Sequence, residues 1–408
     1  MKAWLPCLIA VGALLRNGTV LGEPWSTQPL IGVVGQYASN PALAASPQSE
    51  TNGALLLDAP VNYDSDDLHF VATPNIRYGN ASGYSSLTSN YFHLDSSLQL
   101  SNELGLTGVN AAVYRDSSLL YAGELTNGVG VRRDTSSFGA DWQRLLTERL
   151  QLQLAANTSK TLYAQGSSPD ESRPSNAEGI LSTLVDYRYT TVSPGLTLAQ
   201  SELNTLHLVG AFGRYEALDG ISSSDNANLQ LGFDRSLNEL WTLKTTAGYS
   251  RAENRYNFFF GPYLLAQIDS TQNGTVFSAN LARQSEVLGL NLGVSRALAP
   301  TGFAYLARQQ SVSLQANYTR SERWSYGINA SFQKNDYPGT STGTGAAGGS
   351  YQQRFYYAAL SGTWHATEQW ALTVQATKIL QQYGTPLVTG ASSGVSVQIS
   401  KQLYRKDL

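Results

Sequence analysis

Charge, cysteine and long apolar runs are all scarce in this 408-residue chain, and each scarcity excludes something. Charged residues make up 14% of the total, against a usual quarter or so, and the formal net charge is −3. Without a basic excess to neutralise phosphates, nucleic acid is not an expected partner. The one cysteine, Cys7, lies near the start. The rest of the chain therefore offers no disulfide, thiolate nucleophile or sulfur-ligated metal. Beyond residue 22 no uninterrupted apolar run reaches the ~18 residues of a transmembrane helix. Four histidines (His69, His93, His207 and His365) are scattered, and no HExxH, GxSxG or phosphate loop occurs. No catalytic residue, metal ligand or cofactor is expected, and the chain does not read as an enzyme. A hydroxyl–histidine–acid group gathered from separate strands is the one enzymatic arrangement left open.

The first residues have the three-part layout of a secretory signal peptide. "MK" gives a positive start, "AWLPCLIAVGALL" an apolar run, and "TVLG" small or β-branched residues before Glu23. Residues 1–22 are read as the signal and 23–408 as one domain. An exported chain without disulfides points to a Gram-negative periplasm or outer membrane.

What the sequence has in quantity is a turn and a period. Acidic turns recur at Asn102-Glu103-Leu104, Thr147-Glu148-Arg149, Ser201-Glu202-Leu203, Asn238-Glu239-Leu240, Ser285-Glu286-Val287, Ser321-Glu322-Arg323 and Thr367-Glu368-Gln369. A weaker copy stands at Ser65-Asp66-Asp67. Between them residues alternate with period 2, as where Leu150, Leu152 and Leu154 oppose Gln151 and Gln153. Tyr326, Ile328, Ala330 and Phe332 likewise oppose Ser325, Gly327, Asn329 and Ser331. Such runs are half-buried strands, longer than the five or six residues usual in soluble proteins. Their second face is uncharged and polar, as suits a wetted, enclosed lumen. A tilted strand crosses a bilayer in about 9–11 residues and must belong to a closed barrel, because an open edge in lipid leaves backbone groups unpaired.

The expected fold is all-β: one antiparallel transmembrane β-barrel of about eighteen strands (sixteen if two are miscounted), with short periplasmic turns and longer outer loops. Pro194 is expected to interrupt the phase of 182–200. Trp241, Trp324 and Trp370, just after turns, are expected in the periplasmic aromatic girdle. Tyr78, Tyr84, Tyr91, Tyr114, Tyr215, Tyr249, Tyr256, Tyr337 and Tyr351 are expected near the outer one. By parity Arg77, Asp95, Asp141, Asp186, Arg188 and Lys244 point into the lumen, with Asp186 and Arg188 a local pair. The apolar loop "FFFGPYLL" (258–265) is a candidate plug, and "GTSTGTGAAGGS" (339–350) a flexible loop.

The stretches "QYASNPAL" and "TTVSPGLTLAQSEL", with the recurring turns, resemble the β-barrel porin families of proteobacteria associated with exopolysaccharide production. The resemblance implies an outer-membrane conduit for surface polysaccharide, working with a periplasmic polysaccharide-export protein. Its other implied partners are outer-membrane lipid or lipopolysaccharide and the barrel assembly machinery. It transfers no functional residue. The alternative is a general diffusion porin for small hydrophilic solutes.

Overall fold

The computed structural model describes residues 25–41, 43, 47–79, 90–117, 132–164, 184–260, 263–302, 306–336, 352–383, 388–403 and 406–407. The expected signal peptide with Cys7, the stretch 339–350, Tyr84, Tyr337, Tyr351 and most of the outer loops lie outside the described residues. Of "FFFGPYLL" only the strand path at 258–260 and 263–265 is described.

The described chain is all strand and turn, arranged as eighteen barrel strands, three of them broken once. They are β1 (Trp25–Thr27 with Leu30–Ala38), β2 (Glu50–Asp58 with Val61–Asp64), β3 (Leu68–Gly79), β4 (Tyr91–Asn102), β5 (Gly105–Ser117) and β6 (Arg132–Leu145). Next come β7 (Leu150–Ala164), β8 (Tyr187–Ala199), β9 (Asn204–Ala217), β10 (Ser222–Ser236), β11 (Trp241–Phe260) and β12 (Tyr263–Gln284). The last are β13 (Leu288–Pro300), β14 (Leu306–Ser321), β15 (Trp324–Asp336), β16 (Gln352–His365), β17 (Trp370–Tyr383) and β18 (Val388–Gln402 with Lys406–Asp407). Each pairs antiparallel with its sequence neighbour, and β1 pairs with β18 from Leu30↔Gln402 to Ala38↔Gly394. That last ladder closes the barrel.

The recurring turn has a local cause. In most of the acidic turns the residue before the acid turns its side-chain oxygen onto the amides that follow. Asn238 Oδ1 accepts from the N–H of both Leu240 and Trp241 at 2.9 Å. Asn102 Oδ1 does the same for Leu104 and Gly105, and Thr147 Oγ1 for Arg149 and Leu150. Ser201 and Thr367 repeat it. Short Asn, Ser and Thr side chains fit this role because they reach their own backbone two or three residues on.

Alternation sets the faces. Leu98, Phe138, Leu154, Val192, Leu208, Leu231, Val312, Ile328, Leu360 and Val397 all stand exposed on the outer surface, one apolar belt around the whole barrel. A soluble protein rarely exposes so large a contiguous apolar area. A closed sheet with such a belt is the form in which β-strands cross lipid, and single-chain barrels of this kind reside in the bacterial outer membrane. At the periplasmic edge Trp324 stacks on Trp364 with ring centroids 6.3 Å apart. Cations lie over the other two expected girdle tryptophans, Arg283 5.9 Å above Trp241 and Lys401 5.4 Å above Trp370.

Pro194 does not shift the phase. Lacking an N–H, it drops out of the ladder with β9 together with Ser193, yet Val192↔Phe212 and Gly195↔Val209 keep one register across the gap.

Candidate functional site: the barrel lumen

In the periplasmic half, the glutamines opposite the leucines of β7 form part of a side-chain chain across six strands. Gln151 Nε2 donates to Gln143 Oε1 at 2.9 Å, and Gln153 Nε2 to Gln151 Oε1 at 3.3 Å and Thr197 Oγ1 at 3.0 Å. Thr197 Oγ1 lies 2.9 Å from His207 Nδ1. His207 Nε2 is 3.2 Å from Asp234 Oδ2, and Lys244 Nζ reaches the same oxygen at 3.9 Å. The hydroxyl–imidazole–carboxylate order echoes a nucleophilic site, but the strand amides around it are committed to the ladders that hold β7 to β11 together. The row is a wetted polar lining.

In the outer half, one hairpin leaves the wall. The β12–β13 ladder ends at Phe277↔Arg296, while β13 and β14 go on pairing to Pro300↔Leu306. This free tip meets the inner faces of β7, β8 and β9, four to six strands away round the barrel. Tyr215 Oη donates to Thr301 O at 3.1 Å, and Val185 N to Gly302 O at 2.7 Å. Leu306, fully buried, packs with Tyr163, Tyr187, Tyr215 and Ala252, whose side chains all point inward. Gly302 lets the tip approach closely: a Cβ there would stand 2.7 Å from Tyr163 Oη and 2.8 Å from Leu184 Cδ2, and those side chains would have to shift. Leu43 packs inward in the same way on Phe355 and Ile379 of β16 and β17. The outer lumen is thus narrowed from two sides.

Charge is concentrated on the wall that remains open. In β2 to β6 the inward residues include Glu50, Asp58, Asp64, Asp95, Asp116 and Asp141, against Arg77 and Arg133. Asp116 and Arg133 are buried and joined, Arg133 Nε to Asp116 Oδ1 at 3.1 Å, with His93 Nε2 3.3 Å from the same carboxylate. Asp64 meets His69, Asp95 accepts from the Tyr114 hydroxyl, and Arg77 donates to Gln36. In β7 to β18 the described charged side chains of inward parity are Asp234 and Lys244, and the leaning hairpin adds the Arg308 guanidinium, which lies over the inner face of Gly274 and donates to Asn273 O at 2.8 Å.

The structure sorts the expected lumen residues as follows. Arg77, Asp95, Asp141 and Lys244 face inward. Arg188 does not. It pairs with Lys160 and shares its face with Thr190, Val192 and Leu196, so it points outward. The expected phase break at Pro194 is absent, and parity therefore carries through from the exposed leucines of β8. Asp186 precedes that strand, and its carboxylate accepts from the Tyr163 amide at 2.7 Å instead of pairing with Arg188. Several outer-girdle tyrosines are likewise corrected. Tyr78 and Tyr249 face outward, 70% and 56% exposed. Tyr91, Tyr114, Tyr215 and Tyr256 face the interior, because position along a strand sets height and only parity sets face. Tyr163, Tyr187 and the hairpin tip escaped sequence reading; inward parity of the tyrosines was the available signal.

No family model matches the chain, and no curated protein matches it. Among solved structures, Pseudomonas aeruginosa OccK3 (OpdO) is similar at 13% identity and TM-score 0.46, covering 94% of this chain and 96% of its own. A BenF-like porin from Pseudomonas fluorescens Pf-5 gives 10% identity and TM-score 0.45, covering 94% and 100%. The ferric citrate transporter FecA gives 7% and 0.47, covering 92% and 78%. Likeness at this level says nothing of what crosses the lumen.

Proposed function

We propose that this outer-membrane barrel is a passive diffusion channel for small hydrophilic solutes, favouring neutral and cationic ones. The observation that carries the reading is the lumen itself, which is polar and hydrogen-bonded round most of its wall, narrowed by an inward hairpin, and acidic on the wall facing it. Amide and hydroxyl linings exchange hydrogen bonds with water and with sugar-like solutes at little net cost. Acidic side chains along one wall raise the local concentration of cations. The polysaccharide-conduit expectation gains no support from the described lumen or from the comparisons, and narrowing by the hairpin suits small solutes better than a polymer.

The test is swelling of liposomes carrying the purified protein, in isotonic mono- to tetrasaccharides. Rapid swelling in monosaccharide that declines steeply with size is expected. Failure to swell in any sugar would overturn the reading.

A further inference from the structure

The outer surface carries a feature that passage through the lumen does not use. On β13 to β17 one cross-strand row reads Arg296, Gln310, Lys334, Arg354 and Gln382, each directly opposite the next. The row two residues nearer the periplasm is apolar: Val294, Val312, Phe332, Tyr356 and Leu380. The cations stand about ten residues above the periplasmic feet of their strands, the length a tilted strand needs to cross hydrocarbon. They therefore sit where the outer leaflet's headgroups begin.

The row is unbalanced within the protein. Lys334 and Arg354 are directly opposed like charges, an arrangement that destabilises a sheet unless something neutralises it. Lys334 has Asp336 at 2.9 Å, but no described acid pairs with Arg354 or Arg296. Arg296 reaches only Thr275 Oγ1 at 3.3 Å, and its Nε is buried with no partner. Other outer-rim arginines are matched in Arg115–Asp134, Arg214–Glu216 and Arg251–Glu253, while Arg188 opposite Lys160 is a second, isolated like-charged pair.

We infer that this row is a binding site for a phosphorylated lipid headgroup of the outer leaflet. Guanidinium and ammonium groups bind phosphate oxygens through charge-assisted hydrogen bonds, and the flanking glutamine amides suit sugar hydroxyls. The acyl chains would lie on the apolar row beneath. The site depends on the barrel spanning the membrane and is independent of what crosses the lumen.

The test is thermal unfolding of the detergent-purified full chain, titrated with diphosphoryl lipid A, its dephosphorylated form, or inorganic phosphate. Each variant is compared with its own lipid-free midpoint. Diphosphoryl lipid A should raise the midpoint of the wild type and of R251Q, whose arginine is already paired. At least tenfold more should be needed for R296Q/R354Q, and the charge-conserving R296K/R354K should recover most of the response. An equal response in R296Q/R354Q and wild type would overturn the assignment. So would an equal response to the dephosphorylated lipid, and a matching shift from inorganic phosphate would reduce the site to a free-anion site.

Discussion

Freeing the inward hairpin should widen the channel. The contacts that dock the tip include the hydrogen bonds Tyr215 Oη to Thr301 O and Val185 N to Gly302 O, and fully buried Leu306. Tyr215→Phe removes one hydrogen bond, a net loss of about 0.5–1.5 kcal/mol. Leu306→Ala removes most of a buried side chain, a loss of about 2–5 kcal/mol when the surroundings do not collapse. Here they can relieve the cavity by lifting the tip, so docking weakens by about that much at most. Even 2 kcal/mol shifts a docked–undocked equilibrium roughly thirtyfold. The wall itself should survive, because β13 stays paired with β12 from Phe277 to Gln284 and with β14 from Leu288 onward. In single-channel recordings, the double variant Y215F/L306A should show higher mean conductance and added current noise relative to a steady wild type. Wild-type conductance and noise in the correctly folded double variant would refute the claim that this hairpin narrows the lumen.

Other consequences can be checked separately. Neutralising the open acidic wall with D95N/D141N should reduce cation preference, read as a smaller reversal potential across a KCl gradient, while leaving conductance in symmetric concentrated salt nearly unchanged. Leu154→Arg places a charge on the lipid face and should cost roughly 2–4 kcal/mol in urea unfolding from lipid vesicles. Gln153→Arg, one residue away but inward, should cost less. Asn238→Ala removes the acceptor for two turn amides and should destabilise the barrel by about 1 kcal/mol in the same assay, with no change in selectivity.

The barrel was legible in the sequence because its two determinants are local. Period-2 alternation fixes faces, as the leucines and glutamines of β7 illustrate, and a Ser, Thr or Asn before an acid caps most of the turns through its own backbone. Counting those turns yields eighteen strands. Arg188 was misassigned by a one-residue phase error, which a strand with period 2 turns into a complete reversal of face. Tyr91, Tyr114, Tyr215 and Tyr256 failed similarly, since Tyr91, for one, lies at the right height but on the opposite face from Phe92. The docking of Thr301, Gly302 and Leu306 was not legible at all. It depends on contacts between Thr301, Gly302 and Leu306 and tyrosines 86 or more positions earlier in the chain, and nothing local marks it. The lipid-facing cationic row became visible only once cross-strand register placed Arg296, Lys334 and Arg354 side by side.

The central claim is that the lumen is an open, weakly cation-preferring aqueous path. Conductance of the purified wild-type protein in a planar bilayer, measured across a KCl gradient, tests it most directly. The account predicts steady ohmic steps with a reversal potential of the sign for K⁺ over Cl⁻. Inserted, folded protein that passes no current, or a reversal potential favouring Cl⁻, would contradict it.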